Sequence, residues 1–85
     1  MIAKNEAPLT RSERVHAILA GRVSRRIHSH LEGTGKTMTQ LAADVGTTTS
    51  AVSRWASAYT LPSTVELAFL ANVLGLTIDE LLLTQ

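Results

Sequence analysis

Gly33-Thr34-Gly35-Lys36-Thr37 is the stretch of this 85-residue sequence whose residue types come closest to phosphate chemistry. Glycines let backbone N–H groups approach an anion, and a following lysine and hydroxyl complete a nucleotide-binding loop. The full loop needs another glycine five residues before Gly35, where the sequence has His30, and a hydrophobic strand ahead of it, where the residues have helical periodicity. A nucleotide site is therefore not expected. The stretch is better explained as a glycine-ended helix, a short loop and a new helix capped by Thr37. Lys36 then lies near the positive end of that next helix, able to touch a phosphate.

His16, His28 and His30 are the only imidazoles. None pairs at i, i+4; His28 and His30 project from different sides of a helix, and no carboxylate or thiol has matching ligand spacing. Neither a metal nor another cofactor is expected. So few acids also supply no paired-carboxylate or Ser-His-acid constellation, and the chain is not expected to be an enzyme. Cysteine is absent, which removes disulfides and Cys-ligated zinc as sources of stability.

Eighty-five residues suffice for one small domain and no more. The 45% hydrophobic content and mean hydropathy of +0.14 exclude the disordered class and leave an apolar surplus for a partner. The N-terminus lacks a continuous apolar signal core, and no run approaches the roughly 18 apolar residues of a membrane span, so a cytoplasmic protein is expected. Net charge is only +1 but uneven: residues 1–36 hold seven basic residues against three acidic ones, residues 37–85 one against four. The basic half is either a phosphate-facing surface or a solvated helix face.

Five helices are expected from caps and periodicity. Residues 1–9 lack periodicity and form an arm, leaving 10–85 as the domain. Thr10 with Glu13 is a capping box, and Val15, Ile18, Leu19, Val23, Ile27 and Leu31 repeat at helical spacing as far as Glu32. Gly21 inside this run costs about 1 kcal/mol against Ala; continuity is favoured over a break near Ala20 to Arg22. Thr37 with Gln40 opens the next helix, with Leu41, Ala42 and Val45 on its inner face. Gly46 turns the chain, Thr47 to Thr49 supply caps, and Val52 with Trp55 marks a short third helix. Pro62 and Ser63 or Thr64 open a fourth helix to about Leu74. It is apolar nearly all round and should therefore be covered nearly all round. Thr77 with Glu80 opens a last helix carrying Ile78, Leu81, Leu82 and Leu83.

The segment 37–56 has the pattern of a helix-turn-helix, and together with residues 57–83 it resembles the phage Cro and repressor family, also called the XRE family. The resemblance is carried by Leu41-Ala42, Val45-Gly46, Val52-Ser53-Arg54-Trp55, Pro62-Ser63, Leu67, Leu70-Ala71, Leu74-Gly75 and Asp79-Glu80-Leu81 at the family's usual separations. It implies an all-α, compact five-helix, lambda-repressor-like DNA-binding domain, here with an extended N-terminal helix. Carried over residue by residue, it puts Thr49, Ser50 and Arg54 at base-reading positions in the major groove. Arg54 is the sharpest of these, since a guanidinium can bond guanine O6 and N7 together. Phosphate anchoring is implied for Lys36, Thr37, Thr48, Tyr59, Thr60 and Ser63. The sequence departs from the family at Met38, where Gln is common, at Ala56, where an acid is usual, and at Ala58, where Gly is usual.

The expected partner is a double-stranded DNA operator, read by a homodimer paired through Leu81, Leu82 and Leu83. The N-terminal extension is expected to fold back over Phe69 through Val15, Ile18 and Leu19, or else a second protomer covers that surface. Two function classes are open. One is a sequence-specific transcriptional regulator, such as a Cro-like or short phage or plasmid repressor in a bacterial cell. The other is an antitoxin-like protein-interaction module on the same fold.

Overall fold

The computed structural model describes residues 8–83, which form α1 (Arg11–Thr34), α2 (Met38–Val45), α3 (Thr49–Ala56), α4 (Thr64–Leu74) and α5 (Ile78–Leu83). No strand occurs among the described residues. Of the expected N-terminal arm, residues 1–7 lie outside the described residues; Pro8 and Leu9 are non-helical and exposed, and Thr10 caps α1.

Each helix begins where a hydroxyl side chain can accept an orphan amide. Reciprocal capping boxes join Thr10 to Glu13, Thr37 to Gln40, and Ser63 to Glu66, and the same pair of bonds joins Thr77 to Glu80 at 2.9 and 3.0 Å. The first helix is unbroken through Gly21. It also outruns the expected end at Glu32: Gly33 is helical, the Thr34 hydroxyl donates back to the His30 carbonyl at 2.7 Å, and Gly35, at φ 72°, is the cap.

The core lies where α1, α2, α3, α4 and α5 meet. Val23 and Ile27 of α1 pack with Leu41, Ala42 and Val45 of α2, Ala51, Val52, Trp55 and Ala56 of α3, Leu70 and Ala71 of α4 and Leu81 of α5. Helix α3 packs on both α2 and α1, and α5 lies against α1 on another side. Burial in α1 starts only at Ala20, so its first turns project beyond the globule.

Three expectations about apolar residues are corrected here. Val15 and Ile18 are 47% and 54% exposed and Phe69 is 55% exposed, so the extension does not fold back over Phe69. Within the chain helix α4 is not covered all round, because Val65, Ala68 and Phe69 are exposed while Leu70 and Ala71 are buried in the core. Leu81 is fully buried within its own chain and has no surface to offer a second protomer, whereas Leu82 is partly buried and Leu83 is exposed.

Candidate nucleic-acid interface

The helix-turn-helix is built by two caps and one left-handed glycine. At the start of α2, Thr37 Oγ1 accepts the Gln40 amide at 3.2 Å and Gln40 Oε1 accepts the Thr37 amide at 2.8 Å. Gly46, at φ 86°, closes α2, and the Gly46 and Thr47 amides both donate to the Ala42 carbonyl at 2.9 Å. Two residues later Thr48 caps α3, its hydroxyl accepting the Ala51 amide at 3.1 Å. Such a short turn requires the two helices to cross closely, and buried Ala42 and Ala51 provide the small side chains there.

This geometry divides α3 into two faces. Ala51, Val52, Trp55 and Ala56 are buried; Thr49, Ser50, Ser53 and Arg54 are exposed. The three residues expected to read bases therefore share one outward, polar face. The Arg54 guanidinium makes no hydrogen bond among the described residues, and its charge is one of the smaller influences that lower the Glu66 carboxyl. Thr49 donates to the Thr39 hydroxyl at 3.3 Å, tying the start of α3 to the outer side of α2.

The residues expected to hold phosphates lie at the helix caps, just before α2 and in the connection that follows α3. Thr37, Thr48 and Ser63 each use hydroxyl oxygen as a cap acceptor, which leaves the O–H proton available to an anion at the positive end of the helix. Tyr59 is 76% exposed directly after the exit from α3, and its amide donates to the Arg54 carbonyl at 2.9 Å; Thr60 beside it is partly buried. The exit itself places Ala58 at φ 59°, the left-handed conformation that a glycine adopts without strain. Thr47 in the turn donates to Glu66 at 3.4 Å, linking the motif to α4. The Ser63 backbone N–H, then its hydroxyl, holds the Glu66 carboxyl below its ordinary value of 4.5, with Thr47 and Arg54 adding smaller pulls in the same direction.

Several cations of the N-terminal half have partners within the chain. Lys36 is exposed but paired with Asp44 at 2.7 Å. In α1, Arg22 donates to the Leu82 carbonyl at 2.9 Å and Arg26 reaches the Glu80 carbonyl at 3.4 Å, so two members of the basic N-terminal half clamp α5. Arg14 donates to the Leu9 carbonyl at 2.9 Å.

Sequence reasoning missed Ser24 and His28. Both bond the Ala56 carbonyl at the end of α3, Ser24 Oγ at 2.5 Å and His28 Nε2 at 2.9 Å. A carbonyl only accepts, so His28 carries its proton on Nε2 here. Their i, i+4 spacing beside buried Val23 and Ile27 was the available signal. Among the described residues no cluster of His, Cys, Asp and Glu could hold a metal ion, and no helix is long and apolar enough to cross a membrane.

A family model described as Helix-turn-helix matches residues 31–81, a span that holds the end of α1, the whole of α2, α3 and α4, and most of α5. No curated protein and no solved structure matches the chain.

Proposed function

The chain belongs to the XRE/Cro-like helix-turn-helix family of DNA-binding proteins, and from that premise we propose that it is a sequence-specific regulator of transcription, acting as a small Cro-like phage or plasmid repressor. In this reading α3 enters the major groove of duplex DNA. The observation that carries it is the polar outer face of α3: Thr49, Ser50 and Arg54 project together from a helix whose opposite side is fully buried. Eight residues span about 12 Å, comparable to the major-groove width of about 12 Å.

Arg54 supplies the main base discrimination by bonding a guanine edge, with Thr49 and Ser50 adding contacts of lower selectivity. Thr37, Thr48, Ser63, Tyr59, Thr60 and Lys36 fix the register on the phosphates. Two protomers pair on a two-fold operator, with half-sites about 34 Å apart, and the end of α5 at Leu82 and Leu83 provides the contact.

Selection of binding sites from random duplex DNA tests this directly. A single enriched, two-fold symmetric sequence is expected, with affinity that falls steeply as salt rises. Arg54→Ala should then lose about 1–3 kcal/mol of preference at one base pair in each half-site. Failure to enrich any sequence, or an Arg54→Ala variant with unchanged base preference, would overturn the reading. Binding to a partner protein in place of DNA would favour the antitoxin-like alternative.

A further inference from the structure

We propose that Ser24 and His28 are positioning residues for base reading: by holding the Ala56 carbonyl they set the inclination of α3 on α1, and so decide which base edge Arg54 reaches. The inference rests on α3 being the reading helix.

The last carbonyls of a helix have no intrahelical donor, so each must find one elsewhere. In α3 the accounting is complete. The Ser53 carbonyl accepts the Ser57 amide at 3.0 Å and the Ser57 hydroxyl at 2.9 Å. The Arg54 carbonyl accepts the Tyr59 amide at 2.9 Å, and the Trp55 carbonyl accepts the Ala58 amide at 3.1 Å. The Ala56 carbonyl receives no backbone amide, because the left-handed turn at Ala58 carries the chain away. Both its donors come from α1, and two donors fill the two lone pairs of a carbonyl oxygen. Ser24 and His28 stand one above the other on one side of α1, as i, i+4 residues do.

The start of α3 is held differently, by the Thr48 cap and by the hydroxyl bond from Thr49 to Thr39 on α2. Apolar packing is non-directional and fixes the tilt of a short helix about such a pivot less tightly than hydrogen bonds of defined length do. The end near Ala56 moves most in that tilt, and Arg54 is only two residues from it. A bidentate contact tolerates displacements of only about 0.5 Å. The doubly bonded carbonyl therefore acts on the base contact without touching DNA.

The test compares Ser24→Ala, His28→Ala, their combination, and His28→Gln, which keeps an N–H donor. Trp55, the only tryptophan and next to Ala56, reports on the clamp without DNA. Its emission should shift to the red and become more accessible to quencher in the double variant, while helix content and cooperative unfolding persist. On the selected duplex and its single-base variants, the double variant should lose about tenfold or more of the discrimination at the base pair that Arg54 reads. Its affinity for non-specific duplex should stay within about twofold, and His28→Gln should recover most of what His28→Ala loses. A folded variant with wild-type discrimination, or one weakened equally on every duplex, overturns the proposal. Should the double variant fail to fold, the two single variants are read in the same way. If the wild-type chain enriches no sequence, the assignment of α3 as reader falls by that result, and unchanged Trp55 emission would separately show that Ser24 and His28 do not hold α3.

Discussion

Lys36 Nζ lies 2.7 Å from Asp44 Oδ2, so the lysine that immediately precedes the α2 cap is engaged within the chain before any phosphate arrives. Both side chains are 40% exposed, and such a pair contributes only about 0.2–1 kcal/mol to stability. Asp44→Asn should therefore leave the melting temperature almost unchanged while raising affinity for all duplexes alike, since Lys36 no longer divides its charge. Lys36→Ala should weaken all duplexes alike and reduce the salt slope by about one. Anisotropy titrations across a range of salt concentrations measure both effects.

Acid should destabilise the fold through its caps. Bonds from Thr10, Ser63 and Thr77, the backbone N–H in each case the larger influence, hold the carboxyls of Glu13, Glu66 and Glu80 below their ordinary value of 4.5. A carboxyl whose pKa is lowered in the folded state binds fewer protons there than in the unfolded chain. Its contribution is therefore complete above the ordinary glutamate range and disappears as pH falls through the folded pKa. The melting temperature should drop as pH falls from the neutral range through the ordinary glutamate range and below it, and Gln at the three positions should flatten that profile while keeping the caps. The α2 box already uses Gln40 and adds nothing to the pH dependence.

Ala58 is the one described residue other than glycine at positive φ. Replacing it with Gly relieves a left-handed alanine and should stabilise the domain by up to about 1 kcal/mol, net of the greater freedom of the unfolded chain. Urea titration monitored by helix content checks this; a loss of stability would show that the alanine methyl contributes more than its backbone costs.

The two leucines at the end of α5 should behave oppositely. Leu81→Ala removes a fully buried side chain and should cost about 2–5 kcal/mol. Leu83→Glu, at a position 62% exposed, should leave unfolding nearly unchanged but weaken cooperative operator binding. Thermal melts and binding to one and two half-sites separate the effects.

The helix starts and the exposed polar side of α3 were legible because their signals are local. Thr37 with Gln40 and Ser63 with Glu66 satisfy one another across three residues, and Gly46 turns the chain whatever surrounds it. Val15 and Ile18 misled because they continue the stripe of Val23 and Ile27: periodicity says which face is apolar, not where the globule stops. The apolar repeat stops before Gly33, but the helix runs on to Thr34, whose bond to the His30 carbonyl accompanies the later end at Gly35. The roles of Arg22, Arg26, Ser24 and His28 were hidden for another reason. Their acceptors are backbone carbonyls, which carry no residue identity and leave no complementary mark in the sequence.

Within two turns of α1, Arg22 grips the end of α5 and Ser24 with His28 grips the end of α3. One continuous rod thus backs both the surface proposed to meet DNA and the surface proposed to meet a second protomer. Any energetic communication between those surfaces is bound by reciprocity: a factor by which pairing tightens hold on an operator is also the factor by which the operator tightens pairing. A regulator arranged in this way would assemble where its target is, and remain dilute and separate elsewhere.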